Sequence, residues 1–363
     1  MRPTYLEVNL PQLRKNLEAI RTHVTPSKVM GMVKANAYGH GMDGVGSFIE
    51  PYVDYFGVAL PEEGIRLREL GIKKPILVAG GILPEQITAF IEHDLILTAS
   101  SHELLAFADA AADSAKKKLV VHLKIDTGME RVGVHYYDAE AFLEQSLRFR
   151  NIEIEGIYTH FANSEDPDLK HARRQFERFQ DVLQFYEKRS LPTPIRHTAN
   201  SGAVLQFRES HLDMVRPGLI LYGVYPLGVP HTVDIAPSIT WRSRVAYSKI
   251  TRPGHPVSYG SLWQPEAETR IVTIPCGYAD GYFRRMTNQA QVIVHGKKYP
   301  QVGRICMDQF MVNVGTDVAE VGDEVVLLGD GITAYDLAEW TGTNEYEVLT
   351  NISARVPRLY LKE

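Results

Sequence analysis

The sequence predicts an α/β protein, with a (β/α)8 TIM-type barrel over residues 1–232 and a C-terminal mostly β domain over residues 233–363. Two observations predict the barrel: eight apolar, strand-like segments alternate with helical patterns, and this alternation stops near residue 232. Beyond that point, β-rich segments are separated by Gly, Pro and Asp turns, which predicts a second domain. A length of 363 residues also favours two domains over one.

The strands and helices of the barrel follow from this alternation. Strands are expected at 28–34, 55–60, 76–79, 95–98, 119–125, 152–159, 195–199 and 214–222. Helices are expected at 61–71, 84–92, 101–114 and 167–189. The first helix begins at Pro61 and closes at Gly71, as helix termini prefer. A first strand within residues 1–10 is a candidate for pairing with the second domain.

The second domain is expected to contain five strands and little helix. The strands are expected at 238–250, 269–275, 290–294, 308–314 and 323–328, with helices at 334–341 and 345–353. No low-complexity segment separates the domains, so firm packing between them is expected.

Composition excludes several classes of protein. A net charge of −5 gives no support to nucleic-acid binding through a basic surface. The apolar stretches are too short for a membrane span, and the N-terminus lacks the apolar core of a signal peptide. The two cysteines, Cys276 and Cys306, fit a reducing cytoplasm. No metal site is expected, and the protein is predicted to be cytoplasmic.

Lys34 is the first candidate for chemistry, in the segment VKANAYGHG at 33–41. Strand alternation places Met30, Met32 and Lys34 on one face, so the amine is expected to lose hydration. Lost hydration lowers the pKa of a lysine and leaves a neutral amine, which is a nucleophile and a base. The alternative is that Lys34 only marks the exit of the strand into water.

Polar residues follow the later strands, where a barrel places its active site. They are Lys124, Arg131, His160, Ser201, Arg216 and Gly218. Near strands seven and eight, NSGAV offers a helix start and RPGL a glycine, both suited to a phosphate. A lysine facing a phosphate cradle indicates pyridoxal 5′-phosphate. A plain N-cap is the alternative for NSG, and GHGMDG at 39–44 is a competing dinucleotide fingerprint, with Glu62 and Glu63 downstream.

Lys124 is expected inside the barrel, on one face with His122 and Asp126. A buried lysine needs a partner or a chemical change. Two interpretations stay open: a salt bridge to an acid such as Asp126, or uptake of carbon dioxide to give a carbamate that pairs with Arg131.

The motifs together resemble those of the bacterial alanine racemase family. They are VKANAYGHG, KIDTGMERVG, THFANSED, HTANSGA, MVRPGLILYG, YGSLW, IPCGYADGY and VGRICMDQ, in the order of that family. The resemblance implies a pyridoxal-phosphate barrel with a C-terminal β domain. It also implies a head-to-tail homodimer in which each active site takes residues from both subunits. The implied reaction is the interconversion of L- and D-alanine by two bases, which supplies D-alanine for peptidoglycan.

The resemblance also assigns roles to individual residues. Lys34 would form the Schiff base and act as base for the D-isomer, and Tyr259 of the partner subunit would be the base for the L-isomer. Arg131 would hold the phenolic oxygen of the cofactor and the substrate carboxylate. The backbone N–H of Met307 of the partner subunit would also contact that carboxylate. Arg216 would face the pyridine nitrogen with support from His160, and both would form a cationic network that helps the tyrosine. The predicted phosphate ligands are Tyr38, Ser201, Gly218 and Leu219, and Lys124 matches a position that is carbamylated in some relatives.

One departure from the family concerns the substrate pocket. Ala354 stands in NISARVPRLY where many relatives carry tyrosine, unless Tyr346 or Tyr360 replaces that side chain. A roomier pocket makes serine or a broader amino-acid range the alternative substrate. More remote alternatives are a barrel-type pyridoxal-phosphate decarboxylase and a non-catalytic pyridoxal-phosphate protein.

Overall fold

The structure is a computed structural model that describes residues 2–362. The chain forms two compact units. The barrel unit comprises Leu13–Ala37 and Met42–Ala236, and the β unit comprises Tyr38–Gly41 and the chain from Pro237 onward, with the N-terminal residues up to Gln12.

The barrel unit is built on eight parallel strands that nearly close on themselves, which confirms the predicted fold class. After strand β1 (Tyr5–Asn9), which belongs to the β unit, come β2 (Lys28–Met32), β3 (Tyr55–Val58), β4 (Ile76–Val78), β5 (Ile96–Ala99), β6 (Leu119–Asp126), the short β7 (Val134–His135), β8 (Ile152–Tyr158), β9 (Ile195–His197) and β10 (Met214–Val215). Their order is β10-β2-β3-β4-β5-β6-β8-β9, and β7 pairs with β6. Closure between β9 and β10 rests on two hydrogen bonds, from Asp213 N–H to the Arg196 carbonyl (3.1 Å) and from Arg216 N–H to the Ala199 carbonyl (2.9 Å).

The helices lie between the strands, as the alternation predicts. They are α1 (Leu10–Val24), α2 (Met42–Ile49), α3 (Pro61–Glu69), α4 (Ile87–Glu92), α5 (His102–Ser114), α6 (Ala139–Ser146), α7 (Lys170–Lys188), α8 (Ser201–Gln206), α9 (Ala334–Thr341) and α10 (Glu345–Thr350). Ser101 caps α5, because its hydroxyl accepts the Leu104 N–H at 3.1 Å. Among these helices of residues 2–362, none combines the length and apolar composition needed to span a bilayer.

The predicted eighth strand is wrong in length. Residues 214–222 were expected to be extended, but the strand ends at Val215 and a 3-10 helix occupies Leu219–Tyr222. Pro217 has no N–H to continue a ladder, and Gly218 turns the chain with φ −108° and ψ −93°. Apolar composition alone does not separate a buried strand from a buried helical turn.

The β unit contains one nine-stranded sheet. Its later strands are β11 (Ile239–Arg244), β12 (Tyr247–Thr251), β13 (Thr269–Ile274), β14 (Gln291–Val294), β15 (Lys297–Val302), β16 (Phe310–Gly315), β17 (Glu324–Leu328) and β18 (Arg358–Leu361). The strand predicted at 238–250 is therefore two strands, and β15 and β18 were not predicted. The N-terminal β1 lies between β11, to which it is antiparallel, and β18, to which it is parallel.

Candidate active site

Lys34 begins a left-handed helical turn at the C-terminal end of β2. Ala35, Asn36, Ala37 and Tyr38 all have positive φ, between 51° and 55°. The expected alignment of Lys34 with Met30 and Met32 is wrong, because the strand ends at Met32. Each left-handed residue that is not glycine costs roughly 1–2 kcal/mol, so other contacts must hold the turn.

Two side chains supply those contacts. The Asn36 side-chain oxygen accepts the Met42 N–H at 2.8 Å. The Glu63 carboxylate accepts the N–H of Ala35, the residue after Lys34, at 2.6 Å. Backbone strain held by surrounding bonds is typical of functional sites, and here it fixes the segment that carries the amine.

The electrostatic environment favours the neutral form of Lys34. Burial lowers its pKa, and the positive charges of Arg131 and Arg216 lower it further, while Glu63 opposes them. The expected direction of the shift is confirmed, although nearby cations contribute in addition to lost hydration. A neutral amine is the nucleophilic form.

Arg216 is a buried guanidinium whose hydrogen-bond partners are all neutral. Its side chain and backbone are 4% exposed. One terminal nitrogen bonds to His197 Nδ1 at 3.0 Å. The other contacts His160 Nδ1 at 3.2 Å and the carbonyls of Thr159 and Thr198 at 2.9 and 3.1 Å. None of these bonds uses Nε. Within residues 2–362 the Nε–H of Arg216 therefore has no acceptor, and it can donate to a bound ligand.

His160 is neutral, which corrects the expectation of a cationic network. Burial, together with the charges of Arg216 and Lys124, holds the pKa of His160 well below its usual range. Because arginine donates through both terminal nitrogens, His160 Nδ1 must accept, and its proton lies on Nε2. The only cation of this pair is therefore Arg216.

Lys124 does not form the expected salt bridge with Asp126. Its ammonium nitrogen bonds to the Ile125 carbonyl at 3.1 Å and lies 5.2 Å from the centroid of the Tyr158 ring. The Asp126 carboxylate instead accepts the N–H groups of Gly128, Met129 and Arg131 at 2.8 to 3.1 Å. Burial lowers the pKa of Lys124 to about 7, so much of this amine is neutral near pH 7.

Asp126 thereby shapes the loop that presents Arg131. After the loop, the short β7 pairs in parallel with the end of β6, the strand that carries Lys124. The charge of Arg131 acts on Lys34, Lys124 and His160. Arg131 itself is exposed, and its guanidinium forms no ion pair within residues 2–362. An unpaired cation beside a neutral amine is suited to an anionic ligand.

Ser201 and Gly218 join the starts of two short helical segments. Asn200 is the N-cap of α8, since its side-chain oxygen accepts the Ala203 N–H at 3.2 Å, so the plain N-cap role predicted for NSG is present. The Ser201 hydroxyl accepts the Gly218 N–H at 3.0 Å, which leaves the hydroxyl proton free to donate. As first residues of their segments, Ser201 and Leu219 have N–H groups with no intrahelical partner.

The competing dinucleotide fingerprint does not form a ligand cradle. Within the β unit, a Cβ on Gly39 would meet the Leu349 carbonyl, and a Cβ on Gly41 would meet the Tyr360 hydroxyl. These glycines therefore admit other parts of the protein at close range. Glu63, one of the two acids downstream of this fingerprint, accepts the backbone N–H groups of Ala35, Ala59 and Leu60.

Tyr259 and Met307 lie together in the β unit. They line a cavity of about 620 Å³ with Tyr278, Arg284, Arg304, Ile305, Cys306, Asp308 and Gln309. Tyr259 is 71% exposed and Met307 is 52% exposed. Ser258 holds the preceding turn through a 2.6 Å bond from its hydroxyl to the Arg304 carbonyl.

Tyr38 and Ala354 also belong to the β unit. Tyr38 is buried, burial raises its pKa, and its ring centroid lies 6.2 Å from that of Tyr346. Ala354 is exposed. The hydroxyl of Tyr360 donates to the Gly41 carbonyl at 3.2 Å.

Sequence reasoning missed the roles of four residues around the site: Glu63, His197, Glu155 and Asp126. Only His197 carried a signal, since it precedes TANSG at the end of a predicted strand. The partners of the three acids are distant in sequence or are backbone groups, which residue type and spacing do not reveal.

Comparison with known proteins agrees with this geometry. The family model described as "Alanine racemase, N-terminal domain" matches residues 8–226, and "Alanine racemase, C-terminal domain" matches residues 238–360. An alanine racemase of Carboxydothermus hydrogenoformans is 42% identical, over 99% of this chain and 100% of its own length.

Solved structures give the same result. The alanine racemase of Clostridium difficile 630 superposes with a TM-score of 0.95 at 36% identity, covering 99% of this chain and 96% of the other. The alanine racemase of Bacillus anthracis with bound L-Ala-P has a TM-score of 0.92 at 32% identity, covering 100% of this chain and 96% of the other.

Proposed function

Because this chain belongs to the alanine racemase family, we propose that it interconverts L- and D-alanine with pyridoxal 5′-phosphate, and so supplies D-alanine for peptidoglycan. The observation that supports this proposal most is the environment of Lys34. An amine of lowered pKa lies where two guanidinium groups, those of Arg131 and Arg216, act on its charge. Among residues 2–362, the hydrogen-bond partners of the Arg216 guanidinium include no carboxylate.

The donor set fits pyridoxal phosphate. Lys34 would bind the aldehyde, and the Ser201 hydroxyl with the N–H of Leu219, together with Gly218 and Tyr38, would hold the phosphate. The unused Nε–H of Arg216 would donate to the ring nitrogen, which in its unprotonated form accepts a hydrogen bond. When bound, the group withdraws electrons from Cα of the substrate and so acidifies its proton.

The protein residues then have to bind the substrate, remove the Cα proton from one face and deliver a proton to the opposite face. Arg131 would bind the substrate carboxylate, with help from the backbone N–H of Met307 of the partner subunit. Lys34 would take up or deliver a proton on one face of Cα, and the phenol oxygen of Tyr259 of the partner subunit would do so on the other. Two bases on opposite faces invert the centre without turning the substrate over. Neutral His160 would orient Arg216 through their hydrogen bond.

The first test locates the amine that binds the cofactor. Borohydride reduction of the purified enzyme with pyridoxal phosphate, followed by peptide mapping, is expected to label Lys34. Lys124 is the internal control, since it is the other buried lysine of lowered pKa in the barrel unit. A label on any other position would contradict the proposal.

The second test measures the reaction. Incubation with L-alanine in heavy water is expected to abolish optical rotation and to place deuterium at Cα. Release of carbon dioxide would instead indicate the decarboxylase, and neither change would indicate a non-catalytic protein. Because Ala354 leaves room where many relatives carry tyrosine, serine is the alternative substrate, and the ratio of kcat/KM for alanine and serine decides between them.

We also propose a homodimer in the cytoplasm in which Tyr259 and Met307 serve the partner's site. The support is their exposure around one cavity, together with exposed Leu262 and Tyr278. Mixing Lys34→Ala subunits with Tyr259→Phe subunits tests it, because each mixed dimer then has one intact site. Recovered activity is expected. No recovery, with exchange verified by mass spectrometry, would place both residues of a site in one subunit.

Finally, we propose that Lys124 takes up carbon dioxide as a carbamate, which forms an N–C bond and releases one proton. The support is its lowered pKa, on which the charge of Arg131 acts, and the absence of a carboxylate bonded to its amine in the part of the chain from 2 to 362. ¹³C-labelled bicarbonate is expected to give a carbonyl NMR signal that the Lys124→Met variant lacks. A signal present in both would contradict it.

A further inference from the structure

A chain of hydrogen bonds runs through the barrel unit from Arg216 to a carboxylate on the strand β8. His197 Nε2 contacts His122 Nδ1 at 2.8 Å, and His122 Nε2 contacts Glu155 Oε2 at 3.0 Å. With the 3.0 Å bond between Arg216 and His197 Nδ1, three side-chain bonds link the guanidinium to Glu155. Both imidazoles are fully buried, whereas the Glu155 side chain is 30% exposed.

The direction of these bonds is fixed by chemistry. Arg216 can only donate, so His197 Nδ1 carries no proton. A neutral His197 must then carry its proton on Nε2 and donate it to His122 Nδ1. His122 in turn carries its proton on Nε2 and donates it to the Glu155 carboxylate, an acceptor at neutral pH. Reversing any one bond would turn two donors toward each other.

The surroundings hold both rings neutral and in place. Burial lowers the pKa of His122 and His197, and Arg216 lowers both further. The His197 ring stacks on Tyr158, with centroids 4.6 Å apart and planes at 8°. A Cβ on Gly156, which pairs with His122 across the strands, would lie 2.6 Å from His122 Nδ1, so glycine makes room for that ring.

Glu155 is the anchor of the chain. Burial raises its pKa, but hydrogen bonds from His122 and from the Tyr55 hydroxyl outweigh this effect and lower it, with a further contribution from Lys28. The carboxylate is therefore an ionised acceptor. The hydrogen bond made by one ring nitrogen of an imidazole commonly sets whether the other ring nitrogen carries a proton.

We propose that Glu155 and His122 are positioning residues for Arg216. The carboxylate selects, through His122, the one tautomer of His197 whose Nδ1 accepts from the guanidinium. Neither residue touches the reacting atoms. Their effect is to orient Arg216, so that its Nε–H keeps a constant direction. The expected change in kcat rests on the proposed racemase function, whereas the expected tautomers of His122 and His197 do not depend on it.

The first measurement is made on the wild-type enzyme. ¹⁵N NMR of histidine-labelled protein, assigned with single histidine variants, is expected to show His122 and His197 each as the neutral Nε2–H tautomer. A cationic imidazole or an Nδ1–H tautomer at either position would overturn the proposal, whatever reaction the enzyme catalyses.

The second measurement compares two substitutions of Glu155. Glu155→Gln keeps a carbonyl acceptor for His122, so the tautomers and kcat are expected to remain, with kcat within about threefold. Glu155→Leu removes the acceptor, so mixed tautomers and a fall in kcat of roughly 10- to 100-fold are expected, with KM little changed. Glu153→Leu, at an exposed position two residues away on the same strand, is the matched control.

Three outcomes of that comparison would overturn the proposal. Equal losses for Gln and Leu would show that charge acts and tautomer selection does not. Unchanged tautomers and kcat in Glu155→Leu would show that the chain has no positioning role. Lower thermal stability without a change in tautomer or kcat would show a purely structural role. If the Leu variant does not fold, the wild-type tautomers and the Gln variant still decide.

Discussion

The carboxylate of Glu63 lies 2.6 Å from the backbone nitrogen of Ala35 and fixes the chain directly after Lys34. Its second oxygen accepts the N–H groups of Ala59 and Leu60, at 2.8 and 3.2 Å, at the start of α3. One side chain thus ties the left-handed turn to the next strand–helix junction. A turn that costs energy at each residue is kept by bonds of this kind.

Replacing Glu63 is expected to loosen that turn. Glu63→Ala leaves three N–H groups without their acceptor, so the free energy of unfolding should fall by about 1–3 kcal/mol. Urea unfolding measures the loss. Glu62→Ala is the control, since Glu62 is exposed on the same helical turn and should change stability by less than about 0.5 kcal/mol. Similar losses for the two variants would show that Glu63 does not hold the turn.

Lys124 is expected to make stability depend on pH. Its pKa is about 7 in the folded protein and 10.5 in the reference state. Between these values the unfolded chain holds a proton that the folded chain lacks, so stability rises with pH across this window. Well below pH 7 the buried amine is fully protonated, and the cost of burying its charge is fully present.

Lys124→Met should remove that dependence. In carbonate-free buffer the variant is expected to be more stable than the parent at pH 6, by up to about 5 kcal/mol, with a smaller difference at pH 9. Denaturant unfolding at both values measures it, with exposed Lys118→Met as control. A difference that does not vary with pH would contradict the lowered pKa.

Asp126 is expected to control substrate binding through the loop of Arg131. In Asp126→Asn the amide NH₂ would face either the N–H of Arg131 or those of Gly128 and Met129. Stability should fall by about 1–3 kcal/mol. The KM for alanine should rise more than kcat falls, because Arg131 is displaced. Asp138→Asn, at an exposed position, is the control. An unchanged KM in a destabilised Asp126→Asn enzyme would show that the loop does not control substrate binding.

The N-terminal strand is expected to stabilise the β unit. Leu6 is fully buried and pairs in register with Trp241, also fully buried. Leu6→Ala should lower the free energy of unfolding by about 2–5 kcal/mol, measured by tryptophan fluorescence during urea unfolding. Val318→Ala, at a 62% exposed position of the same unit, is the control. Equal stability of the two variants would mean that β1 is dispensable.

Local patterns located most helices and strands of this protein. Pro61 and Gly71 bound the helix α3, and Ser101 caps α5, because capping depends on residues adjacent in the chain. The same patterns failed at 219–222 and at Lys34. Pro217 and Gly218 follow the end of β10, and a left-handed turn follows the end of β2. The apolar content of a segment does not indicate where such a strand ends.

The sequence by itself determined the barrel, the β domain and the residue types of the site, because periodicity and motif order depend only on neighbours along the chain. Only the tertiary structure decided the partners. Asp126 could have paired with Lys124 but instead binds a loop, and Arg216 reaches Glu155 through two histidines from two other strands. Such contacts depend on three-dimensional distance, on direction and on the loss of water, and spacing along the sequence carries none of these.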